Sequence, residues 1–351
     1  MSLTTINSSN IFQKDVIGRV RTAQEDNHDI AVLTPNGDLF VVCDGMGGHV
    51  GGQKASEIAV ESILEYLKKE KYPNPRQALN EALKFANMQI LGYASDHPEL
   101  KGMGTTACIL LLQDDEAYIA HVGDSRIYLH LGKEKKGKKE RKLIRITKDH
   151  SWVQSQVDLY ERTNGKEGMP DSEAEHHPNK NRILNALGIK SDLQLKMSDI
   201  SEKPILPKNG DVFLICSDGL NGMISDSTIE SILSENTTIE QKGEELIKRA
   251  LDGENGQPGG QDNITVQLIQ IDNSPHNKRE YKHCDFNPKF KGKSKSTGSS
   301  SNSGKRIKIL KWAIAAIIVL AIGYGGFKLY EYFYNNYTNI ENRSNNITNP
   351  K

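Results

Sequence analysis

Hydrophobic positions along the first three-quarters of the chain fall into two spacings. Short apolar runs bounded by Gly, Asp or Asn predict strands at Asp38 to Cys43, Thr105 to Leu112, Glu116 to His121, Arg126 to Leu131, Leu143 to Thr147, Val212 to Cys216 and Ile264 to Ile271. Two segments carry apolar residues three and four apart instead. Ala55 to Leu67 places Ile58, Ala59, Ile63 and Leu67 on one face, and Ala78 to Leu91 does the same with Leu79, Ala82, Leu83, Ala86 and Ile90. Both predict amphipathic helices. Two successive helices between groups of strands imply sheets with helix layers packed outside them, not a strictly alternating arrangement.

The pattern changes after Ile271. Residues 273–306 are basic and rich in Ser, Gly and Lys, a composition with little to bury, and they read as a linker. Trp312 to Phe327 then runs sixteen residues without a charge. With the preceding turn it reaches about the twenty residues that cross a bilayer core. The expectation is a single transmembrane helix over 307–328, with a short Asn-rich tail over 329–351. Lys305, Arg306, Lys308 and Lys311 flank its start, and the positive-inside rule places the main domain in the cytoplasm. The basic linker beside it suits anionic lipid headgroups.

Composition sharpens this picture. Of 351 residues, 36% are hydrophobic and 26% charged, as expected of a folded domain. The 45 basic and 45 acidic residues balance only overall: His276 to Lys311 holds eleven Lys/Arg against two acids. The body before it is therefore acidic, which argues against nucleic acid as its partner. Cys43, Cys108, Cys216 and Cys284 form no C-x-x-C pair, and the first three sit in apolar runs. That usage fits a reducing compartment. The N-terminus has no basic stretch leading into an apolar one, so no secretory leader is expected.

The acidic residues recur at one kind of place. Asp44-Gly45 follows LFVVC, Asp124 follows AYIAHVG, Asp218-Gly219 follows VFLICS, and Asp262-Asn263 precedes ITVQLIQI. A lone Asp-Gly is usually a turn. Four aspartates at strand ends can instead converge on one sheet edge, where their repulsion is relieved by protonation or by a cation. Oxygen donors point to Mg²⁺ or Mn²⁺, and no His/Cys set has zinc spacing. Arg21, in RTAQEDN, can supply a bidentate phosphate contact beside such a cluster. Metals flanking a phosphate make a water the nucleophile.

In order, the chain carries RTAQEDN, VVCDGMGGHVGGQKAS, GMGTTA, HVGDSRIY, ITKDHSWV, NRILNALG, GDVFLICSDGLNGM and GGQDNITV, spanning about residues 10–272. This series resembles the successive motifs of the protein phosphatase 2C family, the metal-dependent Ser/Thr phosphatases, in its bacterial-type form. The resemblance implies an α+β fold, a four-layer α-β-β-α sandwich with two central antiparallel sheets, over 10–272. It implies hydrolysis of phosphoserine and phosphothreonine without a covalent intermediate, by two to three Mn²⁺ or Mg²⁺ ions per chain. Asp44 resembles the aspartate bridging both metals and Gly45 a carbonyl ligand. Asp218 and Asp262 resemble further ligands, and Asp124 the carboxylate of a third, weaker site. Glu25 and Asp26 match positions that hold metal-bound waters, Arg21 the phosphate-binding arginine, and Asn263 an orienting residue.

Met46 stands where animal-type members have a histidine that protonates the leaving alcohol; His49 and a metal-bound water are the alternatives for that role. The segment between Ser151 and Asn181 corresponds to the flap of bacterial-type members. The basic segment Gly132 to Lys142 reads as a solvated hairpin tip. The expectation for the whole chain is a membrane-anchored protein Ser/Thr phosphatase acting on phosphoproteins, Ser/Thr kinases and their substrates included. The competing expectation is a catalytically silent scaffold of the same fold, which would have lost metal carboxylates.

Overall fold

The computed structural model describes residues 7–132, 143–174, 177–193, 195, 199–201, 203–272 and 274–276. Among the described residues, ten strands form two antiparallel sheets. One has the order β1 (Ile11–Val16), β10 (Ile264–Gln270), β9 (Val212–Cys216), β7 (Arg126–His130), β8 (Leu143–Arg145). The other has the order β2 (Asp26–Thr34), β3 (Gly37–Met46), β5 (Ala107–Gln113), β6 (Glu116–Val122), with the two-residue β4 (Gly104–Thr105) pairing the end of β3.

The side chains show why the strand runs are apolar throughout rather than alternating. On β3, Leu39, Val41 and Cys43 join a core with residues of α1 (His49–Lys69) and α2 (Pro75–Asp96). Phe40 and Val42 point the other way and meet Phe213, Ile215, Ile127 and Ile269 between the sheets. On β9, Val212, Leu214 and Cys216 turn outward to α6 (Asp226–Ser234) and α7 (Ile239–Asp252). A strand covered on both faces has no polar face to present. These three cores make the expected four-layer α-β-β-α sandwich.

Several elements go beyond the sequence pattern. β1 and β2 lie at sheet edges, and their exposed positions break the apolar run. The expected strand from Thr105 is divided at Thr106, whose backbone N–H turns to the Asp44 carbonyl at 2.8 Å. α1 begins at His49, six residues before Ala55, where the predicted helix starts. The flap segment contains α3 (Trp152–Arg162), capped by Ser151 accepting from the Gln154 N–H, and the short α4 (Asp171–Ala174); α5 (Asp218–Asn221) is a single turn after β9.

Among the described residues no helix is long and apolar enough to cross a membrane. The expected transmembrane segment 307–328, the tail 329–351, most of the linker 273–306 and the basic loop 133–142 lie outside the described residues, as does the His49 side chain.

Candidate active site

Strand registers bring the acidic residues to one edge of the sandwich. Asp26 opens β2 directly opposite Asp44 near the end of β3. Val266 of β10 and Arg126 of β7 both pair with Cys216 at the end of β9, so Asp262, Asp124 and Asp218 lie beside the same end. Asp44 and Asp218 are within hydrogen-bonding reach of one another. Asp44, Asp124, Asp218 and Asp262 thus converge as expected, with Asp26 beside them.

The electrostatic cost of this crowding is plain. Burial pushes the Asp44 carboxyl well above its ordinary range, and Asp26, Asp218, Asp124 and Asp262 add to the effect. Asp218 is raised to about 6, by burial and then by Asp262. Asp26 is raised to about 8 by burial, although Thr265 and Ser217 stabilise its charged form. Asp124 is raised by burial and by Asp218, and its Oδ1 is buried without a hydrogen-bond partner. Concentrated carboxylates with an orphaned oxygen fit hard divalent cations, which take oxygen ligands and relieve the repulsion.

Close packing builds the frame. Gly45 donates its N–H to the Glu25 carbonyl at 3.1 Å, and a Cβ there would strike the backbone of Gly52 and Glu25. Gly52, in the first turns of α1, packs against the other side of this contact: its missing side chain leaves room for the Glu25 carboxylate and the Gly45 backbone. Gly52, one of the two glycines that hide the start of α1 from the hydrophobic pattern, is therefore placed by the site. Gly219 faces the Asn263 carbonyl with no room for a Cβ, locking α5 and Asp218 against the start of β10.

Asn263 joins three backbone groups beside the cluster. Its Oδ1 accepts from the Glu25 N–H at 2.9 Å, and its Nδ2 donates to the carbonyls of Ile17 and Ala23, both at 2.9 Å. One amide thereby fixes the segment carrying Arg21 and Glu25. Arg21 is 39% exposed; its Nη2 lies 2.7 Å from Asp262 Oδ2 and its Nη1 3.6 Å from Glu25 Oε1. Asp26 accepts from Thr265 Oγ1 at 2.7 Å. Met46 ends β3 opposite Gly104.

Other residues holding the site were not singled out in the sequence. Thr106 Oγ1 accepts from the Asp44 N–H at 2.9 Å and lies 2.7 Å from Ser125 Oγ, tying the Asp44 strand to the Asp124 loop. Arg126 grips Asp149 with Nε and Nη2, at 3.0 and 2.8 Å. Burial would raise the Asp149 carboxyl, but Arg126 and Arg145 hold it below its ordinary range. Ser217 and Thr265 steady Asp26. Small hydroxyl residues carry no periodic signal; their places inside the quoted motifs are the one sequence feature that could have found them.

Carboxylates at a shared edge of two sheets, with an arginine beside them and cation-ready charge, define a metal-dependent phosphoester hydrolase. The profile of the protein phosphatase 2C family matches residues 19–253, and the chain belongs to that family. It is 32% identical over 259 residues to the serine/threonine phosphatase stp of Listeria monocytogenes, an alignment covering 73% of this chain and 93% of that one. Its fold is similar to the serine/threonine phosphatase Stp1 of Staphylococcus aureus, with TM-score 0.64, 30% identity and coverage of 78% and 98% of the two chains. The catalytic domain of the phosphatase PstP in complex with two manganese ions matches with TM-score 0.61 at 28% identity, over 77% of this chain and 99% of that one.

Proposed function

We propose that the protein removes phosphate from phosphoserine and phosphothreonine of proteins, using two to three Mn²⁺ or Mg²⁺ ions. Asp44, Gly45, Asp218 and Asp262 would hold the principal ions and Asp124 the third. The observation that carries this is the convergence of mutually destabilised carboxyls on one edge. Ions held there would neutralise phosphoryl oxygens and acidify a water for attack on phosphorus.

The chain's own residues do the rest. Arg21 exchanges its contact with Asp262 for two phosphate oxygens, orienting the group for in-line attack. With ions bound, Glu25 and Asp26 would accept hydrogen bonds from waters beside them, and Asn263 keeps Arg21 and Glu25 in register. Cys43, the thiol nearest Asp44 in sequence, faces the helix-side core with its pKa raised by burial, so it offers no thiolate for a covalent route.

Anchoring through 307–328, with the catalytic domain on the cytoplasmic side, rests on the uncharged run and its basic flank. An anchored phosphatase would meet membrane Ser/Thr kinases and their substrates at high local concentration. Turnover of a phosphothreonine peptide far above that of a small phosphate ester supports the protein-phosphatase reading, and preferred turnover of the small ester sinks it. Release of the chain from membranes by an alkaline carbonate wash would contradict the anchor.

A further inference from the structure

The ITKDHSWV segment has no role in the chemistry above, yet two of its side chains straddle Asp124. Asp149 holds Arg126, two residues after Asp124, through paired hydrogen bonds. His150 holds Gly123, the residue before it, at both backbone groups: the Gly123 N–H donates to His150 Nδ1 at 3.1 Å, and the His150 N–H donates to the Gly123 carbonyl at 2.8 Å. Gly123 has φ +104°, and a Cβ there would meet the Thr106 side chain, so the loop has one tolerable backbone shape. Behind His150, its Nε2 lies 3.1 Å from Asp199 Oδ1, with both side chains buried.

These contacts fix the tautomer. An Nδ1 that accepts from Gly123 has no proton, so the proton is on Nε2 and is donated to Asp199. The resulting chain runs Asp199 carboxylate, His150 ring, Gly123 N–H, Asp124. It has the form of an outer-shell support whose last member carries the ligand. His121 stacks on the His150 ring with centroids 4.8 Å apart. Its Nε2 lies 2.8 Å from the Lys148 carbonyl and its Nδ1 is buried without a hydrogen-bond partner. His121, His150 and Asp199 therefore bring ligand-type atoms within 4.8 Å of one another. A transition metal there would need the Nε2 lone pair, which the Gly123 contact leaves protonated.

We propose that His150, buttressed by Asp199, is a positioning residue that sets the Gly123–Asp124 peptide and thereby the affinity of the Asp124 carboxylate for its divalent cation. This rests on the reading of Asp124 as a metal ligand. His150 also accepts at its carbonyl from the Leu184 N–H at 2.7 Å, and the adjacent Ser151 bridges Ile183, so His150 and Ser151 together tie the start of the flap to the chain just beyond its end.

The test is calorimetric titration of the full chain with Mn²⁺, alongside the Mn²⁺ dependence of phosphate release from a phosphothreonine peptide. Asp124→Asn should abolish the weakest binding event and spare the tighter ones. His150→Gln can reach Asp199 but presents no acceptor to Gly123; it should weaken that event about 10- to 100-fold and raise the Mn²⁺ needed for half-maximal release, with the defect relieved by excess Mn²⁺. His150→Asn keeps an acceptor facing Gly123 and should be milder. Asp199→Asn keeps an acceptor for Nε2 and should be milder than Asp199→Leu. That Asp199 pair decides the matter if near-UV circular dichroism shows His150→Gln unfolded.

An unchanged weak event in His150→Gln, with the event lost in Asp124→Asn, overturns the positioning role alone. A weak event that survives Asp124→Asn overturns the ligand reading and this inference with it. A copurifying transition metal that is lost in His121→Phe also overturns it, because His150 would then be a ligand rather than a support.

Discussion

Asp26 and Asp44 face each other across the β2–β3 pair, and burial raises both carboxyls above their ordinary range. Residues around them are chosen for where they let charge stand. Gly52 shows this best, because a Cβ there would meet both the Glu25 carboxylate and the Gly45 backbone. Gly52→Ala should lower phosphate release or Mn²⁺ affinity about 10- to 100-fold, a range typical of disturbed outer-shell partners, while circular dichroism shows a folded protein. An alanine variant with wild-type turnover and Mn²⁺ dependence would show that Glu25 does not need its place. Asp44, Asp124, Asp218 and Asp262 were legible in the sequence because each follows or precedes an apolar run, whereas Asp26, inside the polar stretch AQEDN, came only from the family resemblance. Thr106, Ser217 and Thr265 were not legible, since one hydroxyl in an apolar neighbourhood looks like any other.

Among the elements, α7 shows how packing overrides propensity. Gly243 lies inside it, where alanine would favour the helix by about 1 kcal/mol. The Phe12 ring of β1 occupies the space a Cβ would take. Gly243→Ala should therefore destabilise the protein by about 1–3 kcal/mol in denaturant titration, an overpacking cost. Pairing it with Phe12→Leu should recover part of the loss. A stabilised single variant would contradict this packing. The covered strands β3, β5, β9 and β10 were readable as apolar runs because both faces are buried. Edge strands β1 and β2 were hidden by their solvent faces. α7, whose stripe includes Leu246, Ile247 and Ala250, was passed over because its other positions are densely charged.

At the scale of the whole molecule, the acidic edge links stability to pH and metal. The folded Asp26 carboxyl, raised from 3.8 to about 8, keeps a proton that the unfolded chain loses as pH rises between those values. Its contribution is fully present at low pH and is lost as pH climbs toward 8; Asp218, raised to about 6, acts in the same direction. Metal-free protein should therefore lose Tm across this window. Mn²⁺ takes over the charge balance that the protons supplied, so the Tm gained on replacing EDTA with Mn²⁺ should be larger at about pH 8 than at about pH 5. A gain that is flat or falls with pH would contradict the cluster's charge state. The four-layer plan followed from the motif series and the two helices between strand groups. The convergence of the strand ends required the registers of both sheets.

The central claim is that this edge is a metal-dependent phosphatase centre. The most direct measurement is phosphate release from a phosphothreonine peptide by the purified chain in Mn²⁺ and in EDTA, beside the Asp218→Ala variant in Mn²⁺. Release that needs the metal and falls by more than about 100-fold in the variant, beyond the loss expected for an outer-shell change, is the predicted result. Release that persists in EDTA, or a folded Asp218→Ala protein with wild-type turnover, would contradict it.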